Sequence, residues 1–212
     1  MQGEVLFPLL FNLYISEAEE ILKKSEGSGV NITNLEQLHM LAYADDMVIL
    51  SESAYGMKKK ISALEKNFTD FGLGVNIDKT KILIFQNGGR IGKDLKSHYK
   101  GNVVEMKKYI YLGVLFSSSG KFAKTSESFK TSGLKAIGTA WKILVKGKVK
   151  SWESFIKLFE ASIKPTALYC ADIWAPNYLH CLERVQVFYF KKLLAVNRRT
   201  SDSIVQIGRA HV

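Results

Sequence analysis

The sequence predicts an α+β fold, with short strands and two helices as far as Gly120 and helices alone beyond it. Three observations carry this expectation. Apolar runs flank tight corners within 38–50 and 109–116, the pattern of antiparallel strand pairs. Apolar residues recur at helical spacing over 9–22 and 57–68. Beyond Gly120 the helical period dominates, so strands and helices are segregated along the chain.

Pro8 suits the first turn of a helix, where its missing N–H would have no intrahelical partner. Leu9, Leu10, Leu13, Tyr14, Ala18, Ile21 and Leu22 follow at helical spacing. Ser25–Gly29 reads as a loop and Val30–Ile32 as a short strand. Leu38–Ala42 and Met47–Leu50 then form a hairpin around Tyr43-Ala44-Asp45-Asp46. Ser53 can cap a second helix whose Met57, Ile61, Leu64 and Phe68 share one face, and Gly72 can end it. Ile82–Phe85 reads as a strand, Gly88-Gly89 and Gly101-Asn102 as turns, and Val103–Glu105 and Tyr109–Phe116 as extended. The later helical sets are Ile137, Ala140, Trp141 and Leu144, then Trp152, Phe155, Ile156 and Phe159. Pro165 interrupts them. A last helix near Tyr178–Val196 carries Leu179, Leu182, Val185, Tyr189 and Leu193 on one side. The division is an α+β part over 1–120 and a helical part over 121–205.

Charge is distributed unevenly. Residues 1–57 hold nine acids and two bases, Lys23 and Lys24, whereas the whole chain is +10, so the remainder is strongly basic at +17. A basic excess of that size points to a polyanionic partner, nucleic acid before others. No apolar run reaches membrane-span length, and the first residues do not read as a signal peptide. Cys170 and Cys181 lack the spacing of a zinc site or a disulfide framework, which fits a reducing, intracellular setting in nucleus or cytoplasm.

The corner Tyr43-Ala44-Asp45-Asp46 is the feature that folding alone explains least. Adjacent carboxylates repel, and near an apolar core they cost free energy unless something positive meets them. A divalent cation that prefers oxygen, typically magnesium, is the simplest such partner. A hairpin offering carboxylates to magnesium is a part suited to phosphoryl-transfer chemistry.

The order of motifs resembles the reverse transcriptases of non-LTR (LINE-type) retrotransposons. Gln2-Gly3-Glu4-Val5-Leu6-Phe7-Pro8-Leu9-Leu10-Phe11-Asn12-Leu13-Tyr14-Ile15 is similar to that family's segment against template and incoming nucleotide. Phe7 stands where a small Ser is usual, and Val5 where Pro is frequent. Tyr43–Asp46 is similar to its metal-binding box, and Leu73–Lys81 to the element that follows. Tyr111-Leu112-Gly113-Val114 resembles its primer-grip hairpin. Ala167–Trp174 and Leu182–Gln186 resemble helical segments common after the polymerase core.

The resemblance implies a right-hand polymerase palm fragment, antiparallel strands packed on helices, followed by an all-helical thumb or connection region. Asp45 would hold magnesium, replaceable by manganese, and Asp46 would support it. Lys79 would serve as proton donor to departing pyrophosphate. Gln2 and Gly3 would lie on the template and dNTP side. Tyr111, Leu112 and Gly113 would place the primer end, with Leu112 packed inward. Lysines from Lys121 to Lys150 would contact phosphates, and Trp141 and Trp152 would belong to the core before they stack on bases. Partners would be RNA template, DNA primer and dNTP; oligomeric state is open.

The resemblance also implies a further carboxylate from a strand N-terminal to the Gln2-Gly3 motif. The expectation is therefore a polymerase fragment lacking the fingers and inactive alone, or a non-catalytic nucleic-acid-binding remnant of such an element. Residues 206–212 read like the translation of a sequencing adapter, an assembly artefact rather than evolved sequence.

Overall fold

The computed structural model describes residues 9–10, 13, 15–25, 27–33, 36–86, 98–99, 102–103 and 105–203. The architecture is α+β, built from short antiparallel strand pairs and helices. The chain divides into two compact units, 1–82 with 90–105, and 83–89 with 106–212. Among the described residues no helix is long and apolar enough to cross a membrane.

The first unit begins with helix α1, Ser16–Lys24. Strands β1 (Val30–Asn31) and β2 (Gln37–Leu38) pair next. Strands β3 (Met40–Tyr43) and β4 (Asp46–Ile49) then form an antiparallel hairpin. Helix α2, Ala54–Asp70, follows. Ser53 caps it as its sequence suggests, with its hydroxyl accepting from the Gly56 N–H at 3.0 Å. Its other end closes at Gly72, whose φ of +66° is one that side chains resist. There the N–H of Leu73 reaches the Phe68 carbonyl and that of Gly72 the Thr69 carbonyl, the paired bonds of a Schellman stop.

The core of this unit is Ala18, Leu22 and Leu64, with Met40, Ile49 and Phe68 packed against it. Of the apolar stripe expected over 9–22, only Ala18 and Leu22 are buried among the described residues. Leu9, Leu10 and Leu13 are exposed. The buried line of α2 runs Gly56, Lys60, Leu64. Lys60 is fully buried, and its ammonium donates to the Ser28 carbonyl at 2.9 Å and the Leu50 carbonyl at 2.6 Å. Burial pushes its pKa below the ordinary lysine value. His39 is buried nearby; burial first, then the Lys60 charge, push its pKa down. Its Nδ1 has no hydrogen-bond partner among the described residues.

Strands β5 (Ile82–Leu83), β6 (His98–Tyr99), β7 (Asn102–Val103) and β8 (Glu105–Met106) follow, β6 pairing with β7. Gly88, Gly89 and Gly101, expected in turns, lie outside the described residues, as do Pro8, Tyr14 and the 206–212 tail.

The second unit holds the hairpin of β9 (Lys108–Tyr111) and β10 (Val114–Ser117) together with the later helices. Helix α3, Ala123–Lys146, docks on β10 through Thr125, whose buried hydroxyl donates to the Leu115 carbonyl. Helix α4 (Trp152–Leu158) runs into a π-helical turn, Phe159–Ile163, and then into α5, Lys164–Ala167. Pro165 thus does not break the helical path. Its nitrogen carries no hydrogen, so the ordinary i→i−4 bond is lost, and the wider π turn absorbs the defect. Helix α6 (Ala171–Trp174), a 3₁₀ turn at Ala175–Asn177 and helix α7 (Leu179–Leu193) complete the unit.

Ile137, Ala140, Phe159, Ile163, Ala167, Val185, Tyr189 and Phe190 make its core. Gly133 sits where helices cross, since a Cβ there would lie 3.0 Å from both Ala167 Cβ and Val185 Cγ1. Trp152 packs on this core. Trp141 is half-buried, with the Lys192 ammonium 4.6 Å from its ring centre.

Lys60→Met retains chain length but strips two buried carbonyls of their donor, so a loss of about 1–3 kcal/mol is expected in urea unfolding. For His39 the native pKa lies below the ordinary 6.5, so the unfolded chain takes up the proton first as pH falls. Its contribution is complete above about pH 6.5 and declines as pH drops through that value toward the depressed native one. The urea midpoint should fall between about pH 7.5 and pH 5.5, and His39→Gln should flatten that dependence.

Candidate active site at the acidic turn

The register pairs Tyr43 with Asp46, leaving Ala44 and Asp45 as a two-residue turn. Ala44 takes φ +50°, a left-handed conformation that costs alanine about 1 kcal/mol. Side chains alternate between the two faces of a strand. Met40 and Ile49, directly opposite each other, face the α1–α2 core. Ala42 and Met47 share that face by alternation. Leu41, Val48, Tyr43 and Asp46 take the other, where Leu41 and Tyr43 are exposed. Asp45 occupies the turn itself, and both carboxylates are exposed. Core packing on one face therefore delivers two adjacent acids to solvent at the far end of the hairpin.

Two neighbouring carboxylates in open solvent offer hard oxygen donors and suit a divalent cation of magnesium's type. No group of three or more His, Cys, Asp or Glu able to hold a metal occurs among the described residues.

Lys79 belongs to the same unit and is exposed. Its N–H donates to Asn76 Oδ1 at 3.1 Å, while the Thr80 hydroxyl and N–H both reach the Asn76 carbonyl. Asn76 and Thr80 thus shape the turn that carries Lys79. No ion pair joins Lys79 to Asp45 or Asp46 among the described residues. Gln2 and Gly3 lie outside the described residues.

The 111–113 segment is a second two-residue hairpin turn, in the other unit. Tyr111 pairs with Val114, and Leu112 and Gly113 take φ +46° and +79°. A two-residue turn with both φ positive matches the right-handed twist of its strands. The expectation that Leu112 packs inward is corrected here. It is 37% exposed, because a side chain at such a tip projects past both strands. Sequence reasoning also missed Tyr169, whose hydroxyl donates to the Leu112 carbonyl at 3.0 Å. Its Cε1 lies 3.2 Å from where a Cβ on Gly113 would stand. No local signal marks this contact, since the partners are 57 residues apart.

Near the open end of that hairpin the close approach of the Lys124 ammonium, a like charge, holds the Lys108 ammonium below the usual lysine range. Along α3, Lys124, Lys135, Lys142 and Lys146 are exposed. At 3.6 residues per turn they fall within about 40° of arc, on a line about 33 Å long. Ser128, Thr131 and Thr139 stand between them.

Residues 1–116 match the reverse transcriptase (RNA-dependent DNA polymerase) family, and the chain belongs to it. The acidic turn, Lys79 and the 111–113 turn all fall inside the matched span. Among curated proteins the chain is similar to the retrovirus-related Pol polyprotein from type-1 retrotransposable element R2 of Nasonia vitripennis. The identity is 27% over 128 residues, covering 56% of this chain and 12% of that polyprotein. The chain thus corresponds to a small part of that relative's length. No solved structure matches significantly.

The acidic turn makes a direct prediction. Titration of residues 1–212 with manganese, followed by electron paramagnetic resonance, should show binding weakened about tenfold or more in Asp45→Asn. Asp46→Asn should weaken it less, since Asp46 is committed to the strand face beside Tyr43.

Proposed function

We propose that this chain is part of an RNA-directed DNA polymerase of a non-LTR retrotransposon, transferring nucleotides from dNTPs to a DNA primer on an RNA template. One observation carries the reading: within the family-matched span, a hairpin packed on two helices presents adjacent carboxylates, Asp45 from a strained two-residue turn and Asp46 from the strand that leaves it. On this reading residues 1–120 are the palm portion and 121–205 a thumb or connection region. The setting is intracellular.

The residues take the following roles. Asp45 holds the divalent ion, with Asp46 in support. When bound, magnesium supplies positive charge where the phosphates and the primer oxygen gather it. Lys79, exposed on its Asn76-shaped turn, is free to meet the departing pyrophosphate and give it a proton. Tyr111, Leu112 and Gly113 place the primer end, and Gln2 and Gly3 lie toward template and dNTP. The lysine line of α3 suits a phosphate backbone, to which it gives affinity without sequence preference.

The resemblance also calls for a carboxylate that none of these motifs supplies, so residues 1–212 alone are expected to extend a primer slowly or not at all. The second reading, a non-catalytic nucleic-acid-binding remnant, draws on that lysine line, which needs neither Asp45 nor metal.

Fluorescence anisotropy with an RNA template annealed to a DNA primer separates the two. A complex tightened by magnesium and the complementary dNTP, and no longer tightened in Asp45→Ala, supports the polymerase. Binding that is equal in both proteins and indifferent to magnesium supports the remnant. Absence of binding at low salt removes both. In either case, Lys135→Gln with Lys142→Gln should lower the salt slope of binding by about 2.

A further inference from the structure

The Leu112-Gly113 turn poses a physical problem that its own strands do not solve. Both residues sit at left-handed φ, +46° and +79°, and leucine resists that region. The turn matches the twist of its strands, but leucine at that φ costs about 1 kcal/mol, and a contact from outside the hairpin can offset that cost. Tyr169 contacts both residues at once. Its hydroxyl takes the Leu112 carbonyl at 3.0 Å, and its ring edge occupies the space that the missing Gly113 side chain leaves, at 3.2 Å.

Tyr169 is itself braced. Its carbonyl accepts from the Trp174 indole N–H at 2.8 Å. Trp174 is 1% exposed and stacks on Phe129 of α3, with ring centres 5.4 Å apart and planes 18° apart. Phe129 also meets the Tyr169 ring at 5.8 Å. Cys170, at φ +50°, turns the backbone between α5 and α6, where Trp174 bonds back to the Tyr169 carbonyl. A continuous chain of contacts therefore runs from α3 through Phe129, Trp174 and Tyr169 to the hairpin tip. Tyr169 remains about half exposed, so its ring contributes little to any core. Its position is instead set by Trp174 and Phe129 behind it and by the turn it touches.

We infer that Tyr169 is a positioning residue for the primer end. Its hydroxyl and ring lock the Leu112-Gly113 turn, and the Phe129–Trp174 stack anchors that lock to the helical region. The inference rests on the reading of this hairpin as the primer-contacting element. It gives Gly113 a second role beside the positive φ of the turn, since a Cβ there would stand 3.2 Å from the ring edge and push the ring off its contact. It also makes the Tyr169 segment a part of the primer site rather than a spacer between helices.

Tyr169→Phe in residues 1–212 keeps the ring and deletes the donor. Hydrogen exchange followed by mass spectrometry should show the 108–117 segment exchanging about fivefold faster in the variant, with 137–144 unchanged. The second readout is a DNA primer carrying 2-aminopurine at its 3′ end, annealed to RNA. The variant should lose the fluorescence change at the 3′ end, yet keep duplex affinity and the signal from an interior 2-aminopurine. Unchanged hairpin exchange overturns the lock. Faster exchange with an unaltered 3′ signal overturns the positioning role. A wild-type chain that binds duplex without any 3′-specific signal overturns the primer reading of the hairpin and the positioning role with it. The exchange result then still shows whether Tyr169 holds the turn, so the two failures are distinguishable.

Discussion

In the first unit the ammonium of Lys60 has left water for two backbone carbonyls, those of Ser28 and Leu50. A buried cation is tolerated only where its protons find acceptors, so the chain on either side of the acidic hairpin must be where those acceptors are. Leu50 directly follows the strand that leaves the acidic turn, and Ser28 precedes the strands that lead to it. Lys60 therefore ties both ends of this strand region to helix α2. Met40 and Ile49 add apolar contact on the same side. His39, buried beside the cation, is pushed toward its neutral form and so adds no second charge to the site. With one face of the hairpin committed in this way, alternation places Asp46 on the other, and the turn carries Asp45 into solvent.

The second unit meets a related demand differently. Its hairpin is docked by a buried hydroxyl, Thr125 to Leu115, near the start of α3, and by Tyr169 at the tip. Both devices use a side chain from a helix or from the connection between helices to satisfy a carbonyl of the hairpin, Leu115 in its strand and Leu112 in its turn. Polar contacts of this kind are directional, so they set orientation as well as proximity. Between them lies a helix whose inner face holds Gly133, Ile137, Ala140 and Leu144 and whose outer face carries lysine. One element thus serves as scaffold and as basic surface, because a helix separates its faces by angle.

Much of this was legible in the residues where the physics is local. The Tyr43–Asp46 corner, the Ser53 cap and the Gly72 stop depend on atoms a few positions apart, and each forms as its sequence suggests. Where a partner is distant, the pattern misleads. The first apolar stripe reads from Leu9, yet helix α1 starts at Ser16 and Leu9, Leu10 and Leu13 are exposed. Lys60 stands beside Lys58 and Lys59 with no local sign of burial, and only the two carbonyls that converge on it make burial tolerable. Leu112 reads as an inward residue because leucine usually is one, but its place at a two-residue tip turns it out. Pro165 reads as a stop, and the π turn before it lets the helix go on.

By itself the sequence determined the class of this protein, through ordered motifs whose chemistry is carried by residue type: paired aspartates at a turn, a lysine on an Asn-shaped loop, a glycine in a hairpin. It determined the strand and helix periods too, because both follow from side-chain direction along a single segment. Only the tertiary structure decided that a buried lysine secures the acidic hairpin and that a tyrosine 57 residues away braces the second turn. Those contacts join segments remote along the chain, and their stability comes from geometry that no single segment encodes: acceptors left over from one element meeting donors left over from another.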